Sequence, residues 1–150
     1  MQPDELLRPF TQPWADRYRS AINAEPLCRD TGRTWTWPLA LILEQCRELG
    51  YPNGAAVRLE ITHGECHGAT AFPVAGGDAP FALRADYPVW KRIVRGELDP
   101  IAAVMRRELA LEGSLPTLVA HVAFTRALVK AAQAVPTDFP DDRQPTATEA

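Results

Sequence analysis

The sequence predicts an α+β domain on a mostly antiparallel five-stranded sheet, covered on one face by helices, and three observations carry that reading. Residues 55–62 alternate, with Val57, Leu59 and Ile61 on one side and Arg58, Glu60 and Thr62 on the other, the period of a strand buried on one face and wet on the other. His63 and Gly64 offer a two-residue turn into a return strand over 65–72. At the far end, residues 114–135 read as one long alanine-rich helix that Ser114 opens.

The remaining elements follow in order. Pro13 suits the start of a helix whose Trp14, Tyr18, Ala21 and Ile22 face inward and which Asn23 ends. A short helix over 25–31 stops at Gly32. Residues 35–45 form the first strand, and Pro38 implies an edge position or an irregular entry. A turn through 51–54 leads into the hairpin, and Gly76, Gly77 and Asp78 loop into a strand over 81–86. Val89, Trp90, Ile93 and Val94 then recur at helical spacing over 87–95, until Gly96 supplies a left-handed C-terminal position. Asp99 caps a second short helix, Pro100 fits its first position, and Ile101, Val104 and Met105 give it one apolar face. Residues 108–112 alternate, with Leu109 and Leu111 on one side of a fifth strand, and Gly113 turns the chain.

The closing helix is apolar on two sides. One holds Leu115, Leu118, Val119, Val122 and Val129; the other holds Phe124 and Leu128 among Ala120, Ala127 and Ala131. A helix apolar all round is buried all round. Either protein covers both sides, from a neighbouring helix or a second copy of the chain, or one side walls an apolar cavity.

Composition narrows the function classes. The chain of 150 residues carries a net charge of -3 with both signs interleaved, so no basic stripe for nucleic acid is present. Its apolar runs fall well short of the roughly 20 residues that cross a bilayer, and the start lacks a basic, then apolar, leader pattern; the expectation is a cytoplasmic protein. Cys28, Cys46 and Cys66 are an odd, widely spaced set, expected as reduced, non-catalytic thiols. Residues 1–135 read as the domain, and 136–150, rich in Pro, Asp and Thr, as a mostly disordered tail.

Catalytic constellations are thin. His63, Glu65, Cys66 and His67 cluster in sequence, but Gly64 and Gly68 favour a turn that splays them into a solvated hairpin tip, so no metal is expected. His121 lies near Thr117 and Thr125 at helical spacing, a base beside hydroxyls, yet no nucleophile elbow, phosphate-cradling loop or dinucleotide fingerprint accompanies it. Neither enzyme activity nor a cofactor is expected. Arg126 and Lys130 border the Leu118, Val122 and Val129 face, placed either to meet an acidic headgroup or simply to stay solvated.

The order Trp90, Gly96-Glu97, Asp99-Pro100 and Leu109-x-Leu-x-Gly113, followed by a long closing helix, resembles the sterol carrier protein family. Upstream, residues 14–23 are similar to that family's opening helix and 57–64 to its central strands, so the resemblance spans about residues 10–135. One departure is Arg107-Glu108-Leu109, where relatives commonly carry Gly-Lys-Leu. The resemblance implies a stand-alone, bacterial-type domain whose helices enclose a lipid-sized apolar tunnel. It also implies non-catalytic binding, sequestration or transfer of a sterol, fatty acid or acyl-type lipid. Leu59, Ile61, Phe81, Trp90, Ile93, Val94, Ile101, Met105, Leu118, Val122, Phe124 and Val129 would line the tunnel, with Arg126 and Lys130 at the headgroup. Contact with a membrane would be transient docking, not insertion. The alternative is a cavity-less interaction module that buries Phe124 and Leu128 against a second copy or a partner enzyme.

Overall fold

A computed structural model describes residues 6–76 and 78–142. Thr11 accepts a hydrogen bond from the backbone of Trp14 and starts α1 (Gln12–Ala24), which buries Trp14, Ala15, Tyr18 and Ile22. The Glu25 carboxylate caps α2 (Pro26–Thr31). The first strand, β1 (Leu39–Leu43), is shorter than the sequence predicts because Trp35 and Trp37 lie ahead of it in irregular backbone, with the Trp35 indole N–H on the Trp37 carbonyl. Pro38 therefore marks an irregular entry, and β1 is buried along its whole length.

β2 (Ala55–Thr62) and β3 (Glu65–Phe72) form the expected hairpin, with an irregularity between Glu60 and Ile61. After β4 (Phe81–Ala85), Asp86 caps α3 (Tyr87–Val94) and Asp99 caps α4 (Pro100–Met105). β5 (Ala110–Glu112) leads through Ser114, which caps α5 (Leu115–Ala120), to α6 (Val122–Gln133).

The strands lie in the order β3-β2-β1-β4-β5. Three neighbouring pairs are antiparallel, and the central pair, β1 with β4, is parallel, with Leu41 opposite Leu83. The sheet is thus mixed. Leu39, Leu41 and Leu43, Val57, Leu59 and Ile61, and Phe81 and Leu83 point to the helical side and share one core with α1, α3 and α6. The other face is less wet than its alternation predicts. Ala40, Ile42, Ala56 and Ala82 are buried there under Ala75 and Ala79 of the β3–β4 loop, while Arg58 and Glu60 pair beside them.

The long closing helix is two helices. At His121 the backbone leaves helical geometry (φ -113°, ψ 34°). Its ring supplies the reason: Nδ1 lies 2.8 Å from the Thr117 carbonyl and Nε2 2.7 Å from the Thr34 hydroxyl, with the ring edge-on to Trp35 and Trp37. Side chain and tertiary contacts here compete with the helical ladder. Burial falls mainly on the side that holds Phe124 and Leu128, joined by Leu118. Phe124, Ala127, Leu128 and Ala131 face the core, whereas Leu115 and Val119 stand 37% and 44% exposed.

The segment 136–142, expected to carry little order, packs on the domain. Leu7 bridges Thr137, and Trp14 donates its indole N–H to the Thr137 hydroxyl. Phe139 is buried beneath the cations of Lys91 and Arg95. Lys91 bonds Asp141 and Asp142, Arg95 pairs with Asp142, and the Tyr87 hydroxyl donates to Asp141. Residues 143–150 lie outside the described residues.

Candidate apolar binding site

Between the helices and the inner face of the sheet lies a residual cavity of about 50 Å³. Phe10, Trp14 and Trp90 wall one end, Phe10 stacked 5.7 Å from Trp14 and set edge-on to Trp90 at 5.6 Å. Trp35 and Phe124, 5.6 Å apart, contribute another part of the wall. Leu39, Leu41 and Leu83 form its sheet side, and Leu118, Leu128 and Val129 its α5–α6 side.

Its polar groups are engaged elsewhere. The Tyr18 hydroxyl donates to the Leu128 carbonyl at 2.9 Å, and burial pushes that phenol far above its ordinary range, so it stays neutral. The Thr125 hydroxyl donates to the His121 carbonyl at 3.0 Å, and the Trp90 indole N–H to the Ile42 carbonyl at 2.8 Å. Among the described residues no buried side-chain nitrogen or oxygen lacks a partner. The space therefore offers a guest an almost wholly apolar wall.

Half of the sequence-expected lining meets at this cavity: Trp90, Ile93, Val94, Leu118, Phe124 and Val129. The others lie elsewhere. Leu59 and Ile61 fill the core under β2 away from the cavity, and Phe81 packs on Trp35 and Trp37. Ile101 is half-buried against the core, Met105 is 63% exposed, and Val122 is half-buried and outside the cavity wall. Arg126 Nε sits 2.9 Å from Asp99 Oδ1, next to the wall residues Pro100 and Val129. Lys130 instead pairs with Glu25 at 3.5 Å. Burial alone would raise the Asp99 carboxyl, but the Arg126 guanidinium and the backbone N–H groups of Ala102 and Ile101 hold it below its usual range.

Sequence reasoning missed Phe10, Trp14, Tyr18 and Trp35 as lining residues. Trp14 and Tyr18 carried a legible signal, their one-turn spacing on the first helix, which reads as core. Phe10 carried none, since it reaches the cavity from a left-handed backbone position (φ 66°).

The crystal structure of sterol carrier protein 2 matches with a TM-score of 0.82 at 34% identity, covering 85% of this chain and 99% of that one. This chain belongs to the sterol carrier protein family. A second protein of the same architecture is a conserved hypothetical protein from Thermus thermophilus, described as possibly a sterol carrier protein, whose solution structure matches with a TM-score of 0.80 at 33% identity over 92% of this chain and 94% of that one. Sterol carrier protein 2 from Yarrowia lipolytica, in its apo form, shares the fold at 16% identity and a TM-score of 0.51, covering 79% of this chain and 88% of that one. Neither a protein-family model nor a curated protein sequence matches the chain.

Within this sterol carrier fold, Arg107 takes φ 64°, the left-handed geometry that glycine adopts at no cost. The turn before β5 thus keeps a glycine-like shape although an arginine occupies it. The hairpin-tip residues are splayed: His63 bonds the Arg33 carbonyl, Glu65 pairs with Arg29, and Cys66 is buried. No group of three or more His, Cys, Asp or Glu side chains able to hold a metal occurs among the described residues. Burial pushes the Cys28 thiol up to about 12 and the Cys66 thiol up to about 11, and all three cysteines are free.

Proposed function

We propose that this protein binds a hydrophobic small molecule, a sterol, fatty acid or acyl-type lipid, and sequesters or transfers it without making or breaking a bond. The observation that carries this reading is the apolar cavity beside which, among the described residues, every buried side-chain nitrogen and oxygen is already bonded. Membership in a family whose relative is called sterol carrier protein 2 supports the ligand class. No helix among the described residues is long and apolar enough to cross a membrane. The proposed carrier meets lipid surfaces by transient docking and works in the cytoplasm. Affinity comes from apolar burial at about 25 cal/mol per Å².

A drug-sized ligand needs on the order of 300–1,000 Å³, so loading must separate walls that now enclose about 50 Å³. The same small volume favours the rival reading, a filled-core interaction module. In that rival the interface cannot use Phe124 or Leu128, which are 1% and 7% exposed; Leu115 and Val119 are the large apolar side chains left outward on α5. Native mass spectrometry of freshly purified protein, with organic extraction, separates the two. A co-purifying amphipath near one per chain supports the carrier. A clean apo dimer that ignores added fatty acids and sterols supports the interaction module.

A further inference from the structure

Along α6 the cavity shares wall residues with the surface. Two surface clefts flank it there, one of about 260 Å³ that includes Val94 and Ala132, the other of about 180 Å³ that includes Pro100 and Val129. Those four side chains also line the internal cavity. The partition between inside and outside is therefore one side chain thick along this stretch.

Gln133, the last residue of α6, borders both clefts. Its amide N–H donates to the Arg95 carbonyl at 3.0 Å, spanning from α6 to the end of α3. The seat for that amide exists because position 96 is glycine: a Cβ there would lie 2.4 Å from Gln133 Nε2. Gly96 has φ 78°, so one residue both turns the chain and clears the notch. An exposed side chain held by a single neutral hydrogen bond swings at little cost, and no helix has to unfold. Arg126 borders the smaller cleft with its side chain 65% exposed. Among the described residues only its Nε is engaged, on Asp99, and its two terminal nitrogens are the donors offered to an anion. Arg95, beside the larger cleft, is already paired with Asp142.

We infer that the guest enters and leaves between the connection from α3 to α4 and the last turns of α6, that the Gln133 amide is the bar across this opening, and that Arg126 receives the carboxylate of a single-chain fatty acid. This rests on the carrier reading and adds to it a path and a headgroup. The chain slides between Val94 and Ala132 or between Pro100 and Val129 into the apolar space, and the charged end stays outside, where water and Arg126 solvate it.

The test is stopped-flow uptake and release of cis-parinaric acid by the full chain, in wild type, Gln133→Ala and Gln133→Trp. Gln133 is exposed, so neither variant disturbs the core. Removing the bar speeds both uptake and release by roughly two- to tenfold and leaves affinity nearly unchanged; the bulky indole slows both. Equal rates in all three proteins, with wild type loading normally, overturn the portal and leave the carrier reading standing. A wild type that takes up no fatty acid overturns the carrier reading itself. For the headgroup, Arg126→Gln lowers affinity for the acid by about three- to tenfold and leaves its methyl ester unaffected. Equal losses for acid and ester overturn the assignment of Arg126.

Discussion

Trp90 donates its indole N–H to the carbonyl of Ile42 at 2.8 Å, and this buried bond ties α3 to the central strand β1. Trp90→Phe keeps much of the ring volume and deletes the donor, leaving a buried carbonyl without that partner. The expected loss is about 1–3 kcal/mol, read from the midpoint of urea unfolding.

Arg107 is exposed and sits at φ 64°, a conformation that costs an L side chain about 1–2 kcal/mol. Glycine removes that strain but gains freedom in the unfolded chain. Arg107→Gly is therefore expected to stabilise the protein by a net of about 0.5–1 kcal/mol, seen as a higher thermal midpoint. A lower midpoint would mean that the guanidinium makes a contact the turn needs.

Val122 and Val129 lie on the same helix, yet only Val129 lines the cavity. Val129→Trp is expected to block lipid loading, while Val122→Trp loads like wild type. Leu118→Ala should cost about 2–5 kcal/mol and enlarge the space, which quantitative extraction of bound lipid would register as bulkier guests.

The tail segment is held by charge. Lys91 and Tyr87 pull the Asp141 carboxyl below its ordinary 3.8 against the upward push of burial. A lowered carboxyl contributes stability above its ordinary pKa and loses it as pH falls through the folded value. Burial pushes Lys91 downward, but its two aspartates raise it above 10.5 overall, so its contribution is full below that pH and lost only as pH climbs through the raised value. Once divided by the intrinsic exchange rate at each pH, hydrogen-exchange protection over residues 137–142 should thus be greatest between about pH 5 and 9 and should fall in acid, in high salt, or in Asp142→Asn.

Much of the fold was legible because its signals are local. The alternation of 55–62, the His63-Gly64 turn, and Asp99 and Ser114 as caps each act within a few residues; the cap at Asp86 was hidden in what read as the end of a strand. The candidate site was less legible because its placement depends on distant contacts. His121 looks helical until Thr34, Trp35 and Trp37 arrive from the other end of the chain, and Val122, the next residue, lies outside the cavity wall. A helical wheel can show that two sides are apolar. It cannot say which side meets the sheet, and here the smaller, alanine-rich side does, because small residues let α6 approach closely while Phe124 reaches Trp35.

The parallel seam of β1 and β4 has a kinetic consequence. The β2–β3 hairpin closes over a two-residue turn, but bringing Leu41 opposite Leu83 closes a long loop that contains the whole hairpin and must be ordered before any contact rewards it. The sheet should therefore assemble as two halves, β3-β2-β1 and β4-β5, whose joining sets the refolding rate. Leu83→Ala would then slow refolding more than it speeds unfolding, so the nascent chain keeps the seam's apolar edge uncovered until the second half of the sequence has emerged.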